Sequence, residues 1–298
     1  MRRLLITSLA LTLLIPSAVF AKTTVKAVQS TAPILKKTAT DYPRQVDAFT
    51  SAVVIDVKTG KELYTYQPDK IWPIASLTKL MNTLVFLDTK PNLNRIVSMK
   101  AADEVGGGRL RVSVGSTLSI RDLIYSAIVG SANNAAMAMS RVSGLSQKTF
   151  IARMNAKAKT LGLKTAHFAD PAGMSTENMM SARDMVKLAS VAFSTINIQK
   201  PASTAKYTFA IRNYGGTHTI KNTNALLMDD ANGLLVTGGK TGYLVESQYN
   251  FAVEMRATST SSPKLLIVVF GAPSMPRSAT VAQGLAQWAW NAYSWPSP

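Results

Sequence analysis

Strand-like patterning at both ends of the chain, with helical periodicity between, is the feature that most narrows its fold. Ser51-Ala52-Val53-Val54-Ile55-Asp56-Val57 and Glu62-Leu63-Tyr64-Thr65-Tyr66 are β-branched and aromatic runs separated by the turn Lys58-Thr59-Gly60-Lys61. After Pro73 the period changes, and Leu77, Leu80, Met81, Leu84, Val85 and Leu87 recur at helical spacing. Further helices are expected at about 119–129, 133–142 and 148–161, the last ended by Gly162. Another opens at the capping pattern Ser181-Ala182-Arg183-Asp184. Extended patterning returns at 248–257 and 264–270, joined by a Ser/Thr-rich turn at 258–263. A last helix is expected over about 279–292, with Val281, Leu285 and Trp288 on one face. Strands from both ends can pair in one sheet if the middle is carried as an insert. The expected fold class is α+β, an antiparallel β-sheet flanked by helices with an all-helical insert. No internal repeat and no C-terminal β domain after the last helix are expected.

The first 21 residues read as an export signal. Arg2 and Arg3 precede an apolar run from Leu4 to Leu14, Pro16 breaks it, and Val19-Phe20-Ala21 suits a cleavage site. The run is short for a bilayer span of about 20 residues, so no transmembrane anchor is expected after cleavage. Residues 22–48, rich in Lys, Thr, Ala and Ser, read as a flexible linker, and 49–298 as one folded domain. The chain has no cysteine, so export brings no disulfide framework. Its net charge is +17, and loss of the signal leaves +15. Inside a cell that charge would suggest nucleic acid; for an exported chain no nucleic acid is expected, and an anionic polymer such as a cell wall fits better.

Three short motifs carry the chemistry. In Ser76-Leu77-Thr78-Lys79 the serine and lysine are three apart on a helix, so the amine reaches the hydroxyl. A serine needs such a base, and a lysine serves if burial lowers its pKa. The pattern S-x-x-K also occurs at Ser203/Lys206 and Ser261/Lys264, but only Ser76 opens a periodic helix, where its N–H can stabilise an oxyanion. Ser131-Ala132-Asn133 is the only S-x-N: the serine can relay a proton to a leaving amine, and the asparagine can hold a peptide carbonyl and contact Lys79. Lys240-Thr241-Gly242 on a strand edge offers a positive charge, a hydroxyl for a carboxylate, and a glycine that lets substrate approach. A second K-T-G, Lys58-Thr59-Gly60, is assigned to the first hairpin turn.

The trio in this order marks penicillin-binding proteins and serine β-lactamases. Over nearly all of 50–292 the chain resembles the low-molecular-mass D-alanyl-D-alanine peptidases. The resemblance runs through Pro73–Met81, Phe168-Ala169-Asp170-Pro171-Ala172-Gly173-Met174, Ser181–Met185 and Asn222–Leu227. Met154–Lys159 and the short C-terminus are most similar to the penicillin-binding protein 7 type, which are D-alanyl-D-alanine endopeptidases. The resemblance implies Ser76 as acyl-ester nucleophile, Lys79 as general base, Ser131 as proton relay and Asn133 as substrate orienter. It also implies Lys240 and Thr241 as carboxylate binders, the N–H groups of Ser76 and Tyr243 as oxyanion hole, Gly242 beside them, and Arg277 as a further carboxylate contact. It implies peptidoglycan peptides as substrates, β-lactam antibiotics as covalent inhibitors, a periplasmic location, and neither cofactor nor metal. One departure is Asn134, where carboxypeptidase relatives commonly have an acidic residue.

Rival chemistries lack their residues. Only His167 and His218 exist, without a G-x-S-x-G elbow or an H-E-x-x-H run, and His167 is read as structural. A class A β-lactamase needs a glutamate for deacylation, and Glu177 is the only one between Asn133 and Lys240, outside that family's pattern. Two alternatives remain beside the endopeptidase: a carboxypeptidase trimming pentapeptide stems, and a non-catalytic wall-binding or penicillin-binding module.

Overall fold

In a computed structural model, residues 32–43, 49–229, 231–258 and 262–296 are described. The expected signal at 1–21, the first ten residues of the expected linker, and Ser261 lie outside them.

The strands, in chain order, are β1 (Ile34–Leu35), β2 (Ser51–Asp56), β3 (Glu62–Tyr66), β4 (Ile71–Pro73), β5 (Ile96–Ser98), β6 (Thr117–Ser119) and β7 (Met179–Ser181). After the helical insert come β8 (Lys206–Ala210), β9 (Thr217–Lys221), β10 (Leu234–Leu244), β11 (Gln248–Ala257), β12 (Leu265–Ala272) and β13 (Tyr293–Ser294). The helices are α1 (Thr78–Asp88), α2 (Ile120–Ile128), α3 (Asn133–Val142), α4 (Gln147–Thr160), α5 (Ala182–Ser194), α6 (Ile196–Ala202) and α7 (Met275–Ala292).

The central sheet is antiparallel with the order β10-β11-β12-β2-β3. The N-terminal hairpin pairs with the C-terminal strands through β2 and β12, as the two-ended strand pattern requires. Strand β12 reads Leu-Leu-Ile-Val-Val-Phe because both its faces are covered. Leu266, Val268 and Phe270 join the core under the helical insert, while Leu265, Ile267 and Val269 join the core under α7. The Lys58-Thr59-Gly60 turn closes the β2–β3 hairpin, with the Thr59 backbone and hydroxyl both donating to Asp56 Oδ2.

The expected helices appear at their places. Ser119 and Ser181 cap α2 and α5 by accepting from Asp122 N and Asp184 N. Helix α7 starts at Met275 rather than about 279, because Ser274 caps it and Pro276 is compatible with a first turn. Helix α6 was not anticipated, and the insert is not all-helical as expected, because β5–β6 and β8–β9 form two-stranded sheets within it. Helix α6 is only seven residues long and contains Pro201, too short to show a period.

The flexible-linker expectation for 22–48 is corrected over 32–43. There β1 pairs with β13, Lys36 N donates to Ala292 O, and Trp288 Nε1 donates to Thr40 O. Tyr42 packs edge-on against Tyr64 and Trp288. Backbone pairing and aromatic burial order this stretch although its own composition is linker-like.

Candidate active site

The nucleophile turn is built where three elements converge. Ser76 lies in a single 3₁₀ turn, Ala75–Leu77, that runs directly into α1. Helix α1 is buried on nearly every side. Ala75 has φ +49 and Ser131 φ +55, a region sparsely used by residues with a Cβ. Such strain is tolerated only where the surroundings hold it. At Ala75 two glycines leave room: a Cβ on Gly173 would collide with Ala75 O, and one on Gly242 would lie 2.8 Å from Ile74 O and 3.2 Å from Ser76 N.

Lys79 is fully buried, and its Nζ lies 2.7 Å from Ser76 Oγ, 2.7 Å from Asn133 Oδ1 and 2.6 Å from Ala172 O. Burial pulls its pKa down to about 7, opposed by the negative charge of Asp170. Asp170 also shapes the loop that carries Ala172. Its carboxylate accepts from the backbone N–H groups of Ala172, Gly173, Met174 and Ser175 and from Asn178 Nδ2. The Asp-Pro-x-Gly sequence is a turn signal, but that the turn delivers a carbonyl to Lys79 was not legible.

Lys240, also buried, donates to Ser131 Oγ at 2.7 Å and to Thr241 O at 2.8 Å. Burial, with the charge of Lys79, holds its pKa well below the usual lysine range. Thr241 shares a 2.5 Å hydrogen bond with Thr223, a residue not singled out from its side chain. Asn133 Nδ2 donates to Gly106 O and contacts Met174 Sδ. The two motif chains, Ser76–Lys79–Asn133 and Ser131–Lys240–Thr241, therefore meet over one cavity of about 450 Å³. Ser76, Ser131, Asn133, Thr241, Gly242 and Tyr243 all line it.

Arg277 does not. It lines a separate cleft with Tyr42, Phe49 and Gly284, whereas Met275, two residues earlier on α7, reaches the Ser76 cavity. Two residues along a helix turn the side chain about 200° away, so the expected carboxylate contact at Arg277 is corrected. Asn134 lies outside the cavity too. Its Oδ1 accepts from Leu110 N, and its Nδ2 donates to Leu110 O and Glu104 Oε1, anchoring the loop behind Gly106–Gly108. His167 is structural, its ring bonded to Glu177 O and its backbone bridged to Met179. Glu177 is exposed and does not line the cavity. Ser203 ends α6 and is separated by a turn from Lys206 on β8.

The family model described as D-alanyl-D-alanine carboxypeptidase matches residues 36–274. The chain belongs to this family of serine peptidases. A D-alanyl-D-alanine endopeptidase of Pseudomonas aeruginosa is 35% identical over 221 residues, 74% of this chain and 70% of that one. A D-alanyl-D-alanine endopeptidase of Escherichia coli is 33% identical over 266 residues, 88% of this peptidase and 80% of the relative. The crystal structure of a Streptomyces DD-transpeptidase superposes with a TM-score of 0.75 at 26% identity, covering 83% of this peptidase and 99% of that chain. The peptidase shares its α+β fold with that structure. Among the described residues no helix is long and apolar enough to cross a membrane.

Proposed function

We propose that this peptidase is an exported, periplasmic D-alanyl-D-alanine endopeptidase that opens peptide cross-links in peptidoglycan. The observation that carries the reading is the buried Lys79 amine, with its pKa near neutrality, 2.7 Å from the Ser76 hydroxyl. Asn133 Oδ1 and Ala172 O can only accept hydrogen bonds. A neutral lysine amine has two N–H groups, which those oxygens take, so its lone pair is left for Ser76. The Ser76 hydroxyl then donates to Lys79, and proton transfer frees its oxygen to attack a D-alanyl carbonyl.

The backbone N–H groups of Ser76 and Tyr243, on either side of Gly242, receive the oxyanion. Asn133 Nδ2 exchanges its weak sulfur contact for a substrate carbonyl. Lys240 and Thr241 bind the carboxylate beside the scissile bond. Ser131, bonded to Lys240, relays to the leaving amine the proton that Lys79 took from Ser76, and the amine departs as the side-chain amine of a diamino acid in a neighbouring stem. Water then hydrolyses the Ser76 ester. A β-lactam offers the same carbonyl and carboxylate, so it acylates Ser76 and inhibits. With Glu177 exposed and away from the cavity, deacylation of that adduct is expected to be slow.

Three relatives named D-alanyl-D-alanine endopeptidase support the leaving group chosen here. The carboxypeptidase reading draws on the family's description and on a Bacillus subtilis carboxypeptidase 29% identical. Digestion of cross-linked muropeptide dimers beside monomeric pentapeptides separates the two. Dimers should be split; release of free D-alanine with dimers intact would overturn the endopeptidase. A stable penicillin mass adduct that is absent in Ser76→Ala is expected in either case, and its absence from the unmodified protein would favour a binding module.

A further inference from the structure

The wall of the Ser76 cavity carries one formal charge, and it is negative. Of the residues lining it only Glu246 is an acidic or basic residue, in a chain whose net charge is +17. Lys79 and Lys240 are buried behind that wall. Glu246 is exposed, in the turn 245–247 between β10 and β11, and among the described residues no lysine or arginine forms an ion pair with it.

The same strand edge carries both ends of the trough. Lys240 and Thr241 mark one end, and from Thr241 to Leu244 the strand advances about 10 Å, with Glu246 beyond it. The Tyr243 and Tyr249 rings lie 4.4 Å apart along this path, and Val245 and Met275 extend the apolar surface. An apolar trough closed by a carboxylate complements an alkyl chain ending in an ammonium group. With the substrate carboxylate at Lys240 and Thr241 and the scissile carbonyl at Ser76, the acyl part of the substrate runs on towards this turn. In a cross-linked stem the residue before the D-alanyl unit is a diamino acid, which carries that side chain.

We propose that Glu246, with Tyr249 and Met275, forms a subsite for the side-chain ammonium of the residue preceding the D-alanyl unit. The subsite makes the enzyme selective for stems whose diamino acid is uncapped on the acyl side. The inference rests on the peptidase reading above and names a specificity residue for it. Glu246 acts on the acyl half, so the selectivity is independent of which amine leaves.

The test uses the full mature chain and three acyl-donor peptides with one common leaving group. They differ only before D-alanine, with lysine, Nε-acetyl-lysine or norleucine at that position. The lysine peptide should be favoured about fivefold in kcat/KM over both neutral ones, the upper end for one exposed charge pair. The preference should shrink as salt rises. Glu246→Gln should bring the ratio to within about twofold of one, Glu246→Asp should retain part of it, and Glu246→Lys should invert it. Penicillin labelling of Ser76 reports that each variant is folded. A ratio near one in the unmodified enzyme, a ratio insensitive to salt, or one unchanged in Glu246→Gln overturns the subsite alone. Turnover of none of the peptides by enzyme that still takes up penicillin overturns the peptidase reading and the subsite with it.

Discussion

Lys79 shows how one residue type acquires its role from surroundings that lie far away in sequence. Its pairing with Ser76 was legible, because residues three apart share a helix face. Its reach to Asn133 followed from motif chemistry. Its third partner, Ala172 O, is a backbone atom that carries no side-chain signature, and the Asp170 turn that delivers it became visible only in three dimensions. The amine works as a base only when neutral, so kcat/KM and the rate of penicillin acylation should rise through about pH 7 and then level. Stability should follow the same group. Between about pH 7 and its ordinary value of 10.5, the unfolded chain binds a proton that the native chain does not. Unfolding free energy therefore gains a contribution rising by up to about 1.4 kcal/mol per pH unit across that window, and the burden of the buried amine is greatest below pH 7. Lys79→Met should abolish acylation and remove that slope. Urea titrations of both proteins at pH 7, 8 and 9 check it, and parallel slopes would count against a neutral Lys79.

At the scale of elements, the site depends on β10 pressing against the turn that opens α1. The strand and the helix were each readable, the strand from the K-T-G and its glycines, the helix from its period. Their closeness was not, since it is created by the β10–β11 register, which sets Gly242 opposite Asn250, and by Asn250 Nδ2 donating to Pro73 O just before the turn. The same limit hid α6, whose short length leaves little periodicity to read. A methyl group on Gly242 would wedge 2.8 Å from Ile74 O and 3.2 Å from Ser76 N. It would push apart the two segments that carry the N–H groups of Ser76 and Tyr243. Displacements of this size in a preorganised site cost on the order of 100-fold in rate. Gly242→Ala should therefore lower the second-order rate of penicillin acylation by about that factor while the far-ultraviolet circular dichroism stays native. An acylation rate within threefold of the unmodified enzyme would show that β10 does not need to approach so closely.

Across the whole of the described structure, the sheet is the common wall of two cores, and the segment 32–43 fastens its far side. The sharing of one sheet by both chain ends was legible from apolar runs such as β12, which must be covered twice. The fastening was not, because its partners are contributed by α7 and β13, about 250 residues later in the chain. Trp288 is its central anchor, since its indole donates to Thr40 O at 2.8 Å and its ring packs against Tyr42, Tyr64 and Tyr293. Truncating a large, partly buried aromatic removes its dispersion contacts and leaves a void, at a cost of about 2–3 kcal/mol here. That cost falls on the segment and the outer face of α7, whereas Ser76 and Lys79 belong to the opposite core and are approached by α7 only through Met275. Trp288→Ala should therefore free the segment before the sheet melts. Lys36 and Lys37 are exposed but held by β1 and by the Lys36 bonds to Ala292 and Asn291, so trypsin reaches them only when the segment opens. In the variant, cleavage there should accelerate at least tenfold under native conditions while penicillin labelling of Ser76 keeps its rate. Cleavage no faster than in the unmodified chain would mean that β1 pairing alone secures the segment, and a parallel loss of labelling would mean that the two cores unfold as one unit.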